Sequence, residues 1–160
     1  MKAPRFLGVS AIAGGVLRIA EPYLAATLDP SGLQVAYVLT DIALILGLLG
    51  FYLAFRDRLS AIGIGGIALA LVGLTVIRVG DALGYHIYQL GAAITLFGTA
   101  FLGVDMLMRK ISSPIAAALW LIALVVGLAA LAPQITMPAA LAAGIAFALA
   151  FIAEGAVLLS

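Results

Sequence analysis

The chain has 160 residues, 66% of them hydrophobic and 9% charged, with a formal net charge of +1 and a mean hydropathy of +1.29. A soluble globule coats itself with roughly 25% charged residues, so this composition excludes one and predicts an integral membrane protein surrounded by lipid. The near-neutral charge, with basic residues scattered rather than clustered, excludes nucleic acid as a partner, and the lack of cysteine removes disulfides and thiolate metal sites.

Six apolar segments of about 20 residues, enough to cross roughly 30 Å of hydrocarbon, predict an all-α polytopic protein: one transmembrane domain over residues 1–160. The first, approximately Phe6 to Thr27, follows the basic start MKAPR. That start has the character of a secretory signal, but it is expected to be retained as a spanning helix. Ala11, Gly14, Arg18 and Glu21 recur on it at helical spacing, with small residues permitting close packing. Asp29-Pro30-Ser31-Gly32 reads as a type I turn. The second helix, Leu33 to Phe55, carries a polar stripe of Gln34, Tyr37 and Asp41.

The third, Ala61 to Leu83, repeats the motif of the first: Arg78-Val79-Gly80-Asp81 matches Arg18-Ile19-Ala20-Glu21 sixty positions earlier. Its Gly66, Gly73 and Gly80, seven apart, read as a packing groove. Tyr85, His86 and Tyr88 then mark an interface, as Tyr23 does on the first helix. The fourth helix, Ile87 to Met108, places Asp105 on a seam with Gly91 and Gly98. Ser113-Pro114 starts the fifth, with proline at the first helical position, and this charge-free segment to Ala132 is expected to face lipid or a partner. Trp120, well inside it, reads as packing. The sixth, Pro138 to Leu159, carries Glu154.

Lys2 and Arg5, Arg56 and Arg58, and Arg109 and Lys110 fall at alternate breaks, while the intervening breaks carry no lysine or arginine. The positive-inside rule then predicts cytoplasmic termini in a multi-pass protein of the bacterial inner membrane. Six of the eight basic residues are thereby explained, leaving Arg18 and Arg78. The shared Arg-acid motif, together with Arg58-Leu59-Ser60 echoing Lys110-Ile111-Ser112, suggests a helical hairpin used three times.

Arg18 stands about 18 Å along its helix and Asp41 reaches a similar depth from the other side, so the two are expected to pair across the first hairpin. Arg18, Glu21, Asp41, Arg78, Asp81 and His86 all fall in the periplasmic half. Intramembrane ionisable groups turn to the bundle interior or to water and find partners. The six are therefore candidates for a pocket holding a small molecule or lipid, against the alternative of a closed salt-bridge network that only pins helices together. Asp105 and Glu154, each roughly 6 Å from the cytoplasmic face, form a second candidate: a shared proton or cation site, or two acids reaching interfacial arginines and lysines.

No metal site is expected, since one histidine cannot build the usual multi-histidine sets. Val79-Gly80-Asp81 superficially matches the motif of intramembrane aspartyl proteases, but Arg78 stands where that motif needs glycine and would hold the acid ionised. Ser10 and Ser60 have no base arranged beside them. Neither a catalytic residue nor a cofactor can be assigned.

The run LFGTAFLGVDMLMRKISSPIAAALWLIALVVGLAALAP, from Leu96, and the closing AFIAEGAVLLS, with Phe151, Ile152 and Glu154, resemble the carboxyl-terminal half of a family of uncharacterised bacterial multi-spanning proteins. The resemblance implies a polytopic membrane fold and no particular activity. The expected function is binding or transport of a small molecule or lipid; the alternative is a non-catalytic structural or assembly subunit, with a membrane-protein partner or a second copy docked on the third or fifth helix.

Overall fold

The computed structural model describes residues 5–82, 87–130 and 136–160 and is helical throughout its regular elements: α1 Arg5–Thr27, α2 Pro30–Phe55, α3 Ala61–Ala82, α4 Tyr88–Arg109, α5 Pro114–Ala129 and α6 Thr136–Leu159. Four of them, α2, α3, α4 and α6, are long and apolar enough to cross a membrane. At 16 residues α5 is shorter, and α1, although 23 residues long, is diluted by Arg18 and Glu21. The molecule is a membrane-type helical bundle.

The helix ends follow local chemistry. The expected turn after Thr27 is instead the opening of α2: Asp29 is the N-cap, its carboxylate accepts from the Gly32 N–H at 3.2 Å, and Pro30 takes the first helical position. A capping aspartate followed by proline satisfies an orphan N–H and presets φ, so the helix begins three residues before Leu33. Ser113 and Pro114 start α5 in the expected way. At the end of α4, Lys110 adopts a left-handed conformation (φ 50°), its carbonyl accepting from Arg58 Nη2 at 2.9 Å. A cation on the last carbonyls of a helix also complements its dipole.

Three antiparallel hairpins, α1–α2, α3–α4 and α5–α6, close into a ring in chain order, with α4 against α5 and α6 back against α1. The α2–α3 seam is much the loosest in this ring, and α2 also touches α6 across it. Glycines set the closest approaches. A Cβ on Gly66 would stand 2.6 Å from the Gly98 carbonyl and one on Gly73 2.7 Å from that of Gly91, so the expected groove on α3 holds the backbone of α4. The α1–α6 seam repeats the device: a Cβ on Gly15 would meet the Ala148 carbonyl at 2.6 Å, and one on Gly155 that of Gly8 at 2.7 Å.

The packed core lies toward the end where α1, α3 and α5 begin. There Trp120 stands edge-on to Phe51 (6.5 Å between centroids) and Phe151 (5.6 Å), only 1% exposed. Thus α5 turns Ala116, Ala117, Trp120 and Ala123 into the core and only its other face, with Ile115 and Val125, outward.

Candidate functional site

At the opposite end, around the α1–α2 connection, the charged residues meet. One turn of α1 brings Arg18 and Glu21 together, Nη1 to Oε2 at 2.6 Å. Pro22 follows inside the helix and has no N–H, so the Arg18 carbonyl lacks its usual intrahelical donor. Arg18 Nη2 also donates to the hydroxyl of Tyr88, the first residue of α4, at 2.7 Å. This single side chain therefore ties α1 to a helix that is not its neighbour in the ring.

Asp41, buried at 4% exposure on α2, accepts from Arg78 Nε of α3. The Arg78 guanidinium also lies over the Tyr37 ring, 5.6 Å from its centroid, inside the range of a cation–π contact. The expected pairing of Arg18 with Asp41 is thus corrected. Arg18 takes the acid one turn away on its own helix, and Asp41 faces α3, where it bridges the loosest seam of the ring.

These side chains border a half-open cavity of about 350 Å³. Arg18, Asp41, Arg78, Tyr88, Gln89 and Thr95 give it a polar portion, and Leu74, Ile77, Leu96, Phe97, Leu124 and Phe147 much of its apolar wall. A second cavity of about 360 Å³ adjoins it, lined by Glu21, Pro22 and Tyr37 among others. Arg18, Tyr88, Met137, Ala140 and Gly144 line both, so the Arg18–Tyr88 bond runs where the two chambers meet. Four of the six expected pocket residues, Arg18, Glu21, Asp41 and Arg78, line this space. The Asp81 side chain and His86 lie outside the described residues. Sequence reasoning left Tyr88 at an interface without assigning it a partner; the only available signal was an aromatic hydroxyl at a depth where a half-buried arginine needs an acceptor.

The two acids at the other end take different partners. Asp105, 3% exposed, accepts from the Ser60 N–H at 2.9 Å and from its hydroxyl at 2.6 Å, and pairs with Arg109 Nε at 3.2 Å. It serves as a cap for α3 supplied from α4. Glu154, 2% exposed, accepts from the Ser112 hydroxyl at 2.9 Å through Oε2, while Oε1 is buried without a hydrogen-bond partner among the described residues. No hydrogen bond joins the two carboxyl groups; each accepts from the serine preceding a different helix. Among the described residues Asp105, and not Glu154, pairs with an interfacial cation, Arg109.

Among the described residues no three acids or histidines come together as metal ligands would. Comparison of the chain with models of known families, with characterised proteins and with solved structures gives no match in any of the three.

Proposed function

We propose that this protein binds or transports a small molecule or lipid in the cavity at the α1–α2 end, and that it does so as a six-span protein of the bacterial inner membrane with both termini in the cytoplasm. On that topology the cavity faces the periplasm. The observation that carries the proposal is the coincidence of a cavity of about 350 Å³ with buried Asp41 and the half-buried Arg18 and Arg78, on three helices. Ligand sites typically have volumes of about 300–1,000 Å³, an apolar lining and a few convergent polar groups. Ion pairs serving only as glue would not need space beside them, since a packed interior fills such voids.

Two further observations support the architecture. The basic residues Arg56, Arg58, Arg109 and Lys110 collect at the end opposite the cavity, as the positive-inside rule requires of a cytoplasmic face. Ser60 with Asp105, and Ser112 with Glu154, repeat one arrangement: a serine before the hairpin's first helix bonded to an acid near the end of its second. That repetition favours a duplicated hairpin.

Gly144 supplies the test. A Cβ built there meets nothing within 4 Å, and the residue lines both chambers, so Gly144→Phe is the substitution chosen to take up cavity space. Lipid and metabolite extract from the host membrane is expected to raise the thermal unfolding midpoint of the purified wild-type chain, since a ligand that selects the native state stabilises it. The same extract should leave Gly144→Phe unmoved. Equal responses from the two proteins would contradict binding in this cavity.

A further inference from the structure

The lining of the two chambers also restricts what can occupy them, given that the cavity is a binding site as proposed above. The two arginines at its polar portion are already matched by acids, Arg18 by Glu21 and Arg78 by Asp41. Both acids are shielded from solvent, with side-chain exposures of 14% and 6%. A phosphate or carboxylate entering here would meet those carboxylates along with the guanidinium groups they already neutralise, with little water to screen the repulsion. A cationic head would meet the guanidinium groups in the same way. The described groups therefore favour a ligand with no net charge.

They nevertheless offer donors. Arg18 spends Nη1 on Glu21 and Nη2 on Tyr88, leaving part of its five-donor fork for another acceptor. The Tyr88 hydroxyl accepts from Arg18, which leaves its own hydrogen to donate, and among the described residues it has no acceptor. Tyr88 is 43% exposed and borders both chambers, so that hydrogen is within reach of a bound molecule. Beyond this portion the wall turns apolar at Leu74, Leu96, Phe97, Leu124 and Phe147.

From this we infer that the occupant is an uncharged amphiphile: an apolar chain or ring system in the larger chamber, ending in a carbonyl, ester or ether oxygen that accepts from Tyr88 and Arg18 at the junction of the two. The acceptor oxygen supplies orientation and the apolar body supplies most of the affinity, since burying apolar surface is the dominant favourable contribution in such sites.

The test uses the full chain in phosphatidylcholine nanodiscs and three photoreactive probes with the same diazirine-bearing twelve-carbon chain: a methyl ester, a free carboxylate and a trimethylammonium. Labelled peptides are located by mass spectrometry. The ester is expected to label the cavity faces of α4 and α6, to be displaced by excess methyl dodecanoate, and to label Gly144→Phe at background. Tyr88→Phe, which removes only the hydroxyl, should reduce ester labelling about fivefold, the effect of one lost hydrogen bond. The charged probes should label at least about tenfold less than the ester, as uncompensated like-charge contact requires. Displaceable, Gly144-dependent labelling by the carboxylate or the ammonium at the level of the ester would overturn the uncharged class while leaving the cavity a binding site. Loss of any dependence on Gly144, together with no displacement of the ester in wild type, would remove both. Ester labelling unchanged in Tyr88→Phe would overturn the role given to its hydroxyl.

Discussion

Asp41 shows what a buried charge demands of its surroundings. At 4% exposure it is tolerable because Arg78 reaches it from another helix, and Arg78 in turn rests on the Tyr37 ring. Arg78→Ala would take the guanidinium from the carboxylate, and breaking a buried pair on one side costs about 3–5 kcal/mol. Replacing both residues with leucine should recover most of that loss in thermal unfolding, because two apolar side chains leave no charge to compensate; a double variant as unstable as the sum of the singles would refute the pairing. The acids at the other end behave differently from each other. Asp105→Asn turns an amide toward the Ser60 donors and the Arg109 guanidinium, at a cost of about 1.5–3 kcal/mol. Glu154→Gln keeps an acceptor for the Ser112 hydroxyl and is expected to cost less than about 1 kcal/mol by the same measurement. Much of this was beyond the sequence. Depth along a helix placed Arg18 level with Asp41, but depth does not give azimuth, and the i,i+3 acid on the same helix took the contact.

Helix pairing here depends on how closely two backbones approach. The seven-residue glycine spacing of α3 and α4 was legible as a packing seam, because small residues on one face imply a partner close to that face. The α1–α6 seam uses the same spacing, Gly8 and Gly15 against Ala148 and Gly155, but joins the two ends of the chain, and no local pattern announces which distant helix will fill a groove. Neighbouring glycines on α3 separate packing from propensity. Gly66→Leu must push into the α4 backbone and is expected to destabilise by about 1–3 kcal/mol. Gly65 meets nothing within 4 Å, so Gly65→Ala should be neutral or gain up to about 1 kcal/mol. Unfolding of the two variants in detergent checks the contrast. The α2–α3 seam, lacking such an interlock, is held by the Arg78–Asp41 bridge; the ion pair occurs where apolar contact is thinnest.

For the molecule as a whole, the proposed orientation follows from the uneven distribution of arginine and lysine, and the natural lack of cysteine makes it easy to check. A cysteine at exposed Ser31 should react in intact cells with a membrane-impermeant maleimide, and one at exposed Asp57 only after the membrane is opened. The number and order of the described helices were readable because each is a largely apolar segment set off by turn, capping or charged residues. The ring closure and the two chambers were not, since a cavity is what remains after packing and has no residues of its own. The central claim is that these chambers hold a molecule, and native mass spectrometry of the protein gently extracted from its own membrane tests it most directly. A single chain carrying a small-molecule adduct that disappears in Gly144→Phe is the predicted result. A wild-type chain with no such adduct, recovered instead with a stoichiometric protein partner, would contradict it and leave the charged cluster as a structural clasp.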